Sequence, residues 1–189
     1  MTLKTRFENI SLLPASITLA TLDRVMGNRE GMGLVLKRAL LRVQDQFDYV
    51  LIDCPPVLGV MMVNALAACD RILVPVQTEF LALKGLERMM KTFEIMQRSK
   101  REKFRYTIIP TMFDKRTRAS LMTLQSIKEQ YGEAVWNAVI PIDTKFRDAS
   151  LVHIPPSIYA PGSRGTYAYE TLLNHLDALE RQRTQEVMP

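Results

Sequence analysis

At 189 residues the chain is long enough to bury one sizeable core and short for two domains, so a single domain is expected. Its 47% hydrophobic and 24% charged residues are ordinary globular values, and no apolar run nears the roughly 20 residues that a membrane helix requires. The formal charge of +5 permits contact with nucleic acid or an acidic surface without establishing it.

Two cysteines, Cys54 and Cys69, fall in no CxxC or Cys/His spacing, which argues against a zinc site and a disulfide framework. His153 and His175 read as packing or surface residues. The start, MTLKTRFENIS, has basic residues but no apolar signal core, so the cytoplasm is the default location.

Taken in chain order, Asn9 to Ala15 is a strand-like run closed by Pro14. Ser16 is a candidate N-cap for a helix to about Met26, Gly27 to Gly33 is a glycine-punctuated loop, and Leu34 to Gln46 puts apolar residues on one helical face. Then comes Asp48 to Gly59, DYVLIDCPPVLG, an apolar run ended by an acid and two prolines. It reads as a strand buried on both faces with Asp53 at its carboxyl end. Ligands of open α/β sheets collect outside the carboxyl ends of strands, so two roles stand open for Asp53: holding a hydrated metal ion or phosphate-linked water, or capping the next turn. Cys54 beside it reads as a plain buried thiol, since neither histidine is near in sequence to activate it.

Leu58 to Ala68 fits a small-residue helix packed on a sheet, and RILVPV (Arg71 to Val76) a further strand. Thr78 to Arg98 is a long helix buried through Leu81, Leu83, Leu86, Met89, Met90 and Phe93, its methionines reading as core. Phe104 to Pro110 is a strand, Thr111 to Thr117 a polar, basic loop, Ala119 to Tyr131 a helix closed by Gly132, and Ala134 to Ile140 a strand ended by Pro141. Ile142 to Gly165 is mostly loop with one helical turn near Phe146 to Ser150; Thr166 to Arg183 is an amphipathic helix, and Gln185 to Pro189 should fray. Lys and Arg are dense from Arg98 to Arg118, which by itself reads as a solvated helix end and loop.

Five apolar strands separated by helices predict an α/β fold, a parallel sheet with helices on both faces. No GxxxxGK[ST] loop occurs in the sequence, and no GxGxxG follows a strand.

The ordered series NISLLPAS, DYVLIDCPPVLG, VNALAACDRILVPVQTEFLALKGL, IIPTMFDKRTRAS, VIPIDTKFRDAS and GSRGTYAYETLL resembles, from Asn9 to about Leu179, the ParA/Soj branch of the deviant-Walker P-loop ATPases, related to MinD. The wording around TMFDKRTRAS and TKFRDAS is most similar to the members that position polar chemotaxis arrays. The family begins with a strand, a KGGxGKT loop and a helix, then a second strand with another acid. By this resemblance the present sequence corresponds to the portion after these elements, with the N-terminal βαβ portion missing.

The resemblance implies a role for each matching residue. Asp53 corresponds to the switch II or Walker B acid, acting on Mg²⁺ through water and helping to place the attacking water. Pro55, Pro56 and Gly59 match the switch segment. Thr111, Met112 and Pro141 match the residues flanking adenine. Arg116 and Lys145 match basic residues that touch DNA in the ATP dimer, with Arg118, Arg147 and Arg164 as neighbours. The implied function is DNA segregation or polar cargo placement by an ATP- and Mg-dependent homodimer at the nucleoid or cell pole, with a ParB-like or polar adaptor partner and non-specific DNA contact. Without the phosphate cradle, this chain alone is expected to bind ATP weakly and to be inactive. Two other readings are a non-catalytic short form that modulates a full-length relative, and a DNA-binding module using only the basic loops. Self-association is expected if strand edges stay unpaired.

Overall fold

The structure, a computed structural model, describes residues 2–21, 31–54, 59–98 and 103–187, and its contacts fall into two units, Met1–Asp70 and Arg71–Pro189. The first unit opens with a minimal antiparallel hairpin, β1 (Leu3–Lys4) and β2 (Ser11–Leu12), with Leu3 opposite Leu12. The Thr5 hydroxyl closes its turn by donating to the Ile10 carbonyl at 2.9 Å. The strand expected over residues 9–15 is thus two residues long. The helix expected from Ser16 is a 3₁₀ turn, Ile17–Thr21, and residues 22–26 lie outside the described ones. Thr21 Oγ1 bonds the Thr18 carbonyl at 2.9 Å, the local side-chain competition that makes such residues poor helix interiors.

A 3₁₀ turn, Met32–Leu34, leads into α1 (Val35–Leu41), which packs on α2 (Val60–Ala68). Buried Asn64 ties them together. Its Oδ1 accepts from the Leu36 amide at 3.0 Å, and its Nδ2 donates to the Met32 and Val60 carbonyls at 2.7 and 2.8 Å. Gly33 lies so close to α2 that a Cβ would stand 2.8 Å from Val63 Cγ1. Between the helices, the strand expected before Asp53 is absent: residues 48–54 carry no regular structure, and Val50 and Leu51 are 50% and 86% exposed. An apolar, β-prone run becomes a strand only as half of a ladder, and the ladder of the described part of this unit is made by β1 and β2 instead.

The second unit is built on two parallel strands in register, β3 (Ile72–Gln77) and β4 (Tyr106–Thr111), with Ile72 beside Tyr106 and Gln77 beside Thr111. The crossover is α3 (Phe80–Gln97), the arrangement parallel pairing requires. Successive residues of β4 face opposite ways, and both faces are covered. Tyr106 meets Phe93 of α3, ring centroids 6.5 Å apart, whereas Ile109 clusters with Trp136, Ile140, Ala168 and Leu172 on the other side. Ala168 and Leu172 belong to α7 (Arg164–Val187), so α3 and α7 flank β4. Tyr169 and Leu173, expected inward, are about half exposed. The segment Gln185–Val187, expected to fray, is helical. Between β4 and α7 run α4 (Arg118–Tyr131), closed by Gly132 at φ 52°, then α5 (Lys145–Leu151) and α6 (Pro156–Tyr159). Among the described residues no helix is long and apolar enough to cross a membrane.

The strand expected over Ala134 to Ile140 is reduced to single bridges, Ile108 to Val135 and Phe113 to Pro141. The Trp136 and Ile140 amides donate to the Ile108 and Pro110 carbonyls at 2.9 and 2.8 Å, so four residues on one side span two on the other. In a regular parallel ladder the amide of residue 110 would donate to the Trp136 carbonyl. Proline has none, and the neighbouring chain detours through exposed Asn137 and Ala138 before rejoining.

Asn64→Ala should destabilise the first unit by about 2 kcal/mol, because the Leu36 amide and Met32 carbonyl lose their partner. Urea unfolding, together with faster amide exchange at Leu36, measures this.

Candidate functional site

Two strands and the broken third segment end on the same edge, and their carboxyl ends are where a parallel sheet places ligands. The loop after β4 is held from within. The Thr78 amide donates to the Thr111 carbonyl at 3.0 Å, and buried Thr78 and Ser120 share a 2.5 Å hydroxyl bond. Ser120 Oγ then accepts from the Asp114 amide at 3.1 Å. Thr117 caps α4, its hydroxyl accepting from the Ser120 amide at 3.3 Å.

Within this frame Met112 has φ 53°, a left-handed backbone rare for a residue with a side chain, and is 42% exposed. The ladder explains it. Ile140 donates to Pro110 and Phe113 donates to Ile140, so the chain after β4 carries one extra residue here, a bulge at Met112 before the bridge of Phe113 to Pro141.

Two acids stand behind the bulge. The guanidinium of Arg116 grips Asp114 through two bonds, Nε to Oδ1 at 2.9 Å and Nη2 to Oδ2 at 2.7 Å, and the Arg116 amide adds a third at 3.0 Å. These bonds hold the Asp114 carboxyl down to about 2 and raise Arg116 above its ordinary range. Asp143 is also depressed, first by the Gly165 amide on Oδ2 at 2.8 Å, then by the Lys145 amide on Oδ1 at 2.9 Å. Arg164 acts on both carboxylates at longer range.

Of the predicted residues, Thr111 ends β4 and pairs with Gln77 of β3, Met112 sits in the bulge that follows, and Pro141 bridges to Phe113 just beyond it. Arg116 and Lys145 are exposed, but each has a carboxylate within reach, Lys145 Nζ lying 3.4 Å from Asp148. Arg118, Arg147 and Arg164 are exposed on the same loops and helix starts. Asp53, exposed, and Gly59, at the N-cap of α2, belong to the first unit; Pro55 and Pro56 lie outside the described residues. Burial, then the charge of Asp53, pushes the Cys54 thiol up, the opposite of nucleophilic activation. Asp114, Asp143, Thr78, Ser120 and Gly165 were not predicted as site residues. Asp114 and Asp143 carried a signal: each stands a few residues beyond a strand-ending proline, as acids at strand ends do.

A family model described as an AAA domain matches residues 1–106. The chain is 33% identical over 175 residues to the sporulation initiation inhibitor protein Soj of Bacillus subtilis, covering 92% of this chain and 69% of that protein. It is 32% identical over 183 residues to the chromosome partitioning protein ParA of Caulobacter vibrioides, 95% of this chain and 68% of that protein. Among solved structures, cobyrinic acid a,c-diamide synthase from Mycobacterium smegmatis, with bound ADP and magnesium, superposes with a TM-score of 0.73 at 31% identity, over 93% of this chain and 66% of that one. An α/β class is thereby defined. The chain belongs to the ParA/Soj family.

Because its folded-state carboxyl is depressed, Asp114 adds stability to its loop that is present above the ordinary Asp value of about 3.9 and is lost as pH falls through about 2. Carboxyl ¹³C titration should give a midpoint about 2 in the native chain, and Arg116→Ala should move it back towards 3.9.

Proposed function

We propose that this chain works in ParA-type DNA partitioning or polar cargo placement, supplying the base edge, the switch acid and the basic face of an ATP-dependent homodimer in the cytoplasm, at the nucleoid or cell pole. The observation that carries it is the match to ParA and Soj over more than nine-tenths of the chain, together with a bulge at the carboxyl edge of β4 that exposes Met112 next to the bridge between Phe113 and Pro141. The residues fit a nucleotide. A half-exposed Met112 suits contact with a flat base, and Asp53, in the first unit, is exposed and able to accept from water. Among the described residues no three metal-binding side chains stand together. Magnesium would rest on Asp53 through water and on nucleotide phosphates, the ion's usual manner. When bound, it supplies neutralisation of phosphate charge.

The exposed arginines extend the reading to non-specific DNA. Arg118 and Arg147 are better placed to meet phosphates than Arg116, whose guanidinium is already gripped in two places. A ParB-like protein or a polar adaptor, such as one of a chemotaxis array, would be the partner.

The sequence contains no GxxxxGK[ST] loop, so by itself this polypeptide should show no magnesium-dependent phosphate release above background. Turnover abolished by Asp53→Ala would overturn that. Retention of an arbitrary duplex should fall with salt and be lost in the double variant Arg118→Glu, Arg147→Glu. Unchanged retention would remove DNA from the reading.

A further inference from the structure

One carboxylate joins two helix starts on the basic edge. Asp143 Oδ1 accepts the amide of Lys145, the first residue of α5, and Oδ2 accepts the amide of Gly165, the second residue of α7. Ser163, which precedes α7, accepts the Thr166 amide on its hydroxyl at 3.2 Å. Packing enforces the junction independently. A Cβ on Gly165 would collide with the ring of Phe146 and stand 3.1 Å from Asp143 Cβ. That ring also meets Tyr169 of α7 edge-on, centroids 5.6 Å apart. Around the junction stand Lys145 and Arg147 of α5 and Arg164 of α7, all exposed.

We propose that Asp143 is the positioning residue of the basic face: by tying α5 to α7 it fixes Lys145, Arg147 and Arg164 in one arrangement that adjacent phosphates of a duplex can meet. This rests on the proposed binding of non-specific DNA. The carboxylate touches no phosphate, and its charge opposes DNA. A bystander acid here would therefore strengthen DNA binding when neutralised, whereas loss of a positioning acid weakens it, so the sign of the effect separates the two.

The test is fluorescence anisotropy of a short duplex of arbitrary sequence against the full chain, titrated with salt, with each variant checked by thermal melting. Asp143→Asn should bind roughly tenfold more weakly, with a salt slope shallower by about one, the signature of one lost phosphate contact. Asp148→Asn removes the same charge from α5 and should bind at least as tightly as wild type. Gly165→Ala leaves the charge alone but forces Phe146 aside, and it should reproduce the loss. If Asp143→Asn does not fold, Gly165→Ala decides: a matching loss supports the proposal. Wild-type affinity in Gly165→Ala, or equal or tighter binding by folded Asp143→Asn, overturns the positioning role alone. A wild-type chain that retains no duplex overturns the DNA reading, and this proposal with it.

Discussion

The missing amide of Pro110 is the constraint around which the second unit is arranged. The residue is buried to below 2% exposure one position before the end of β4, on the side that faces the next segment. A buried backbone group must find a partner, and a strand beside a proline must absorb the gap. It does so twice. The neighbouring segment inserts two residues between Trp136 and Ile140, and β4 inserts one at Met112. After the two detours Thr111 faces β3, Phe113 faces Pro141, and Met112 is turned outward between them.

The acids at that edge act mainly on geometry. Exposed ion pairs contribute little to stability, typically about 0–1 kcal/mol, and the Arg116 side chain is 83% exposed. What Asp114 and Asp143 gain is orientation, since both accept backbone amides, and Asp114 the Arg116 guanidinium as well. Asp114 is held low first by the Arg116 guanidinium and then by the Arg116 amide, whereas Asp143 is held low first by the Gly165 amide, a donor fixed without the entropy cost of ordering a long side chain.

How much of the structure is legible in the sequence depends on whether a residue's environment is local. The helices α2, α3 and α4 and the strands β3 and β4 lie close to where periodicity, Gly132 and the strand-ending residues place them, because those signals act within a few positions. The runs before Asp53 and after Ala134 look equally strand-like, but a strand depends on its neighbour, and neither window records that. Val50 and Leu51 lack a ladder; Trp136 to Ile140 meets one with a gap in it. The matching of Thr111, Met112 and Pro141 to a base edge rests on resemblance, and the structure adds a bulge at Met112 that no residue type announces. The tie between Asp143 and Gly165 spans 22 positions and two backbone amides, which leave no mark on residue type beyond an acid before one helix and a glycine inside another.

A carboxylate inside a basic face looks wasteful, yet the distance dependence of electrostatics favours it. Long-range attraction of a polyanion scales with net charge and is screened within about 8 Å at physiological salt, so one acid subtracts little from a chain carrying +5. At contact the balance depends on whether cations arrive at phosphate spacing without first losing rotational freedom. Each phosphate met by a fixed cation releases its counterion, whereas a cation that must be ordered on arrival spends part of that gain. Since α5 has only seven residues and could not hold its own direction, an anchor at its first amide determines where Lys145 and Arg147 stand. Gly165 answers to the same requirement from the other side, allowing α7 to approach closely enough for one carboxylate to serve both helices.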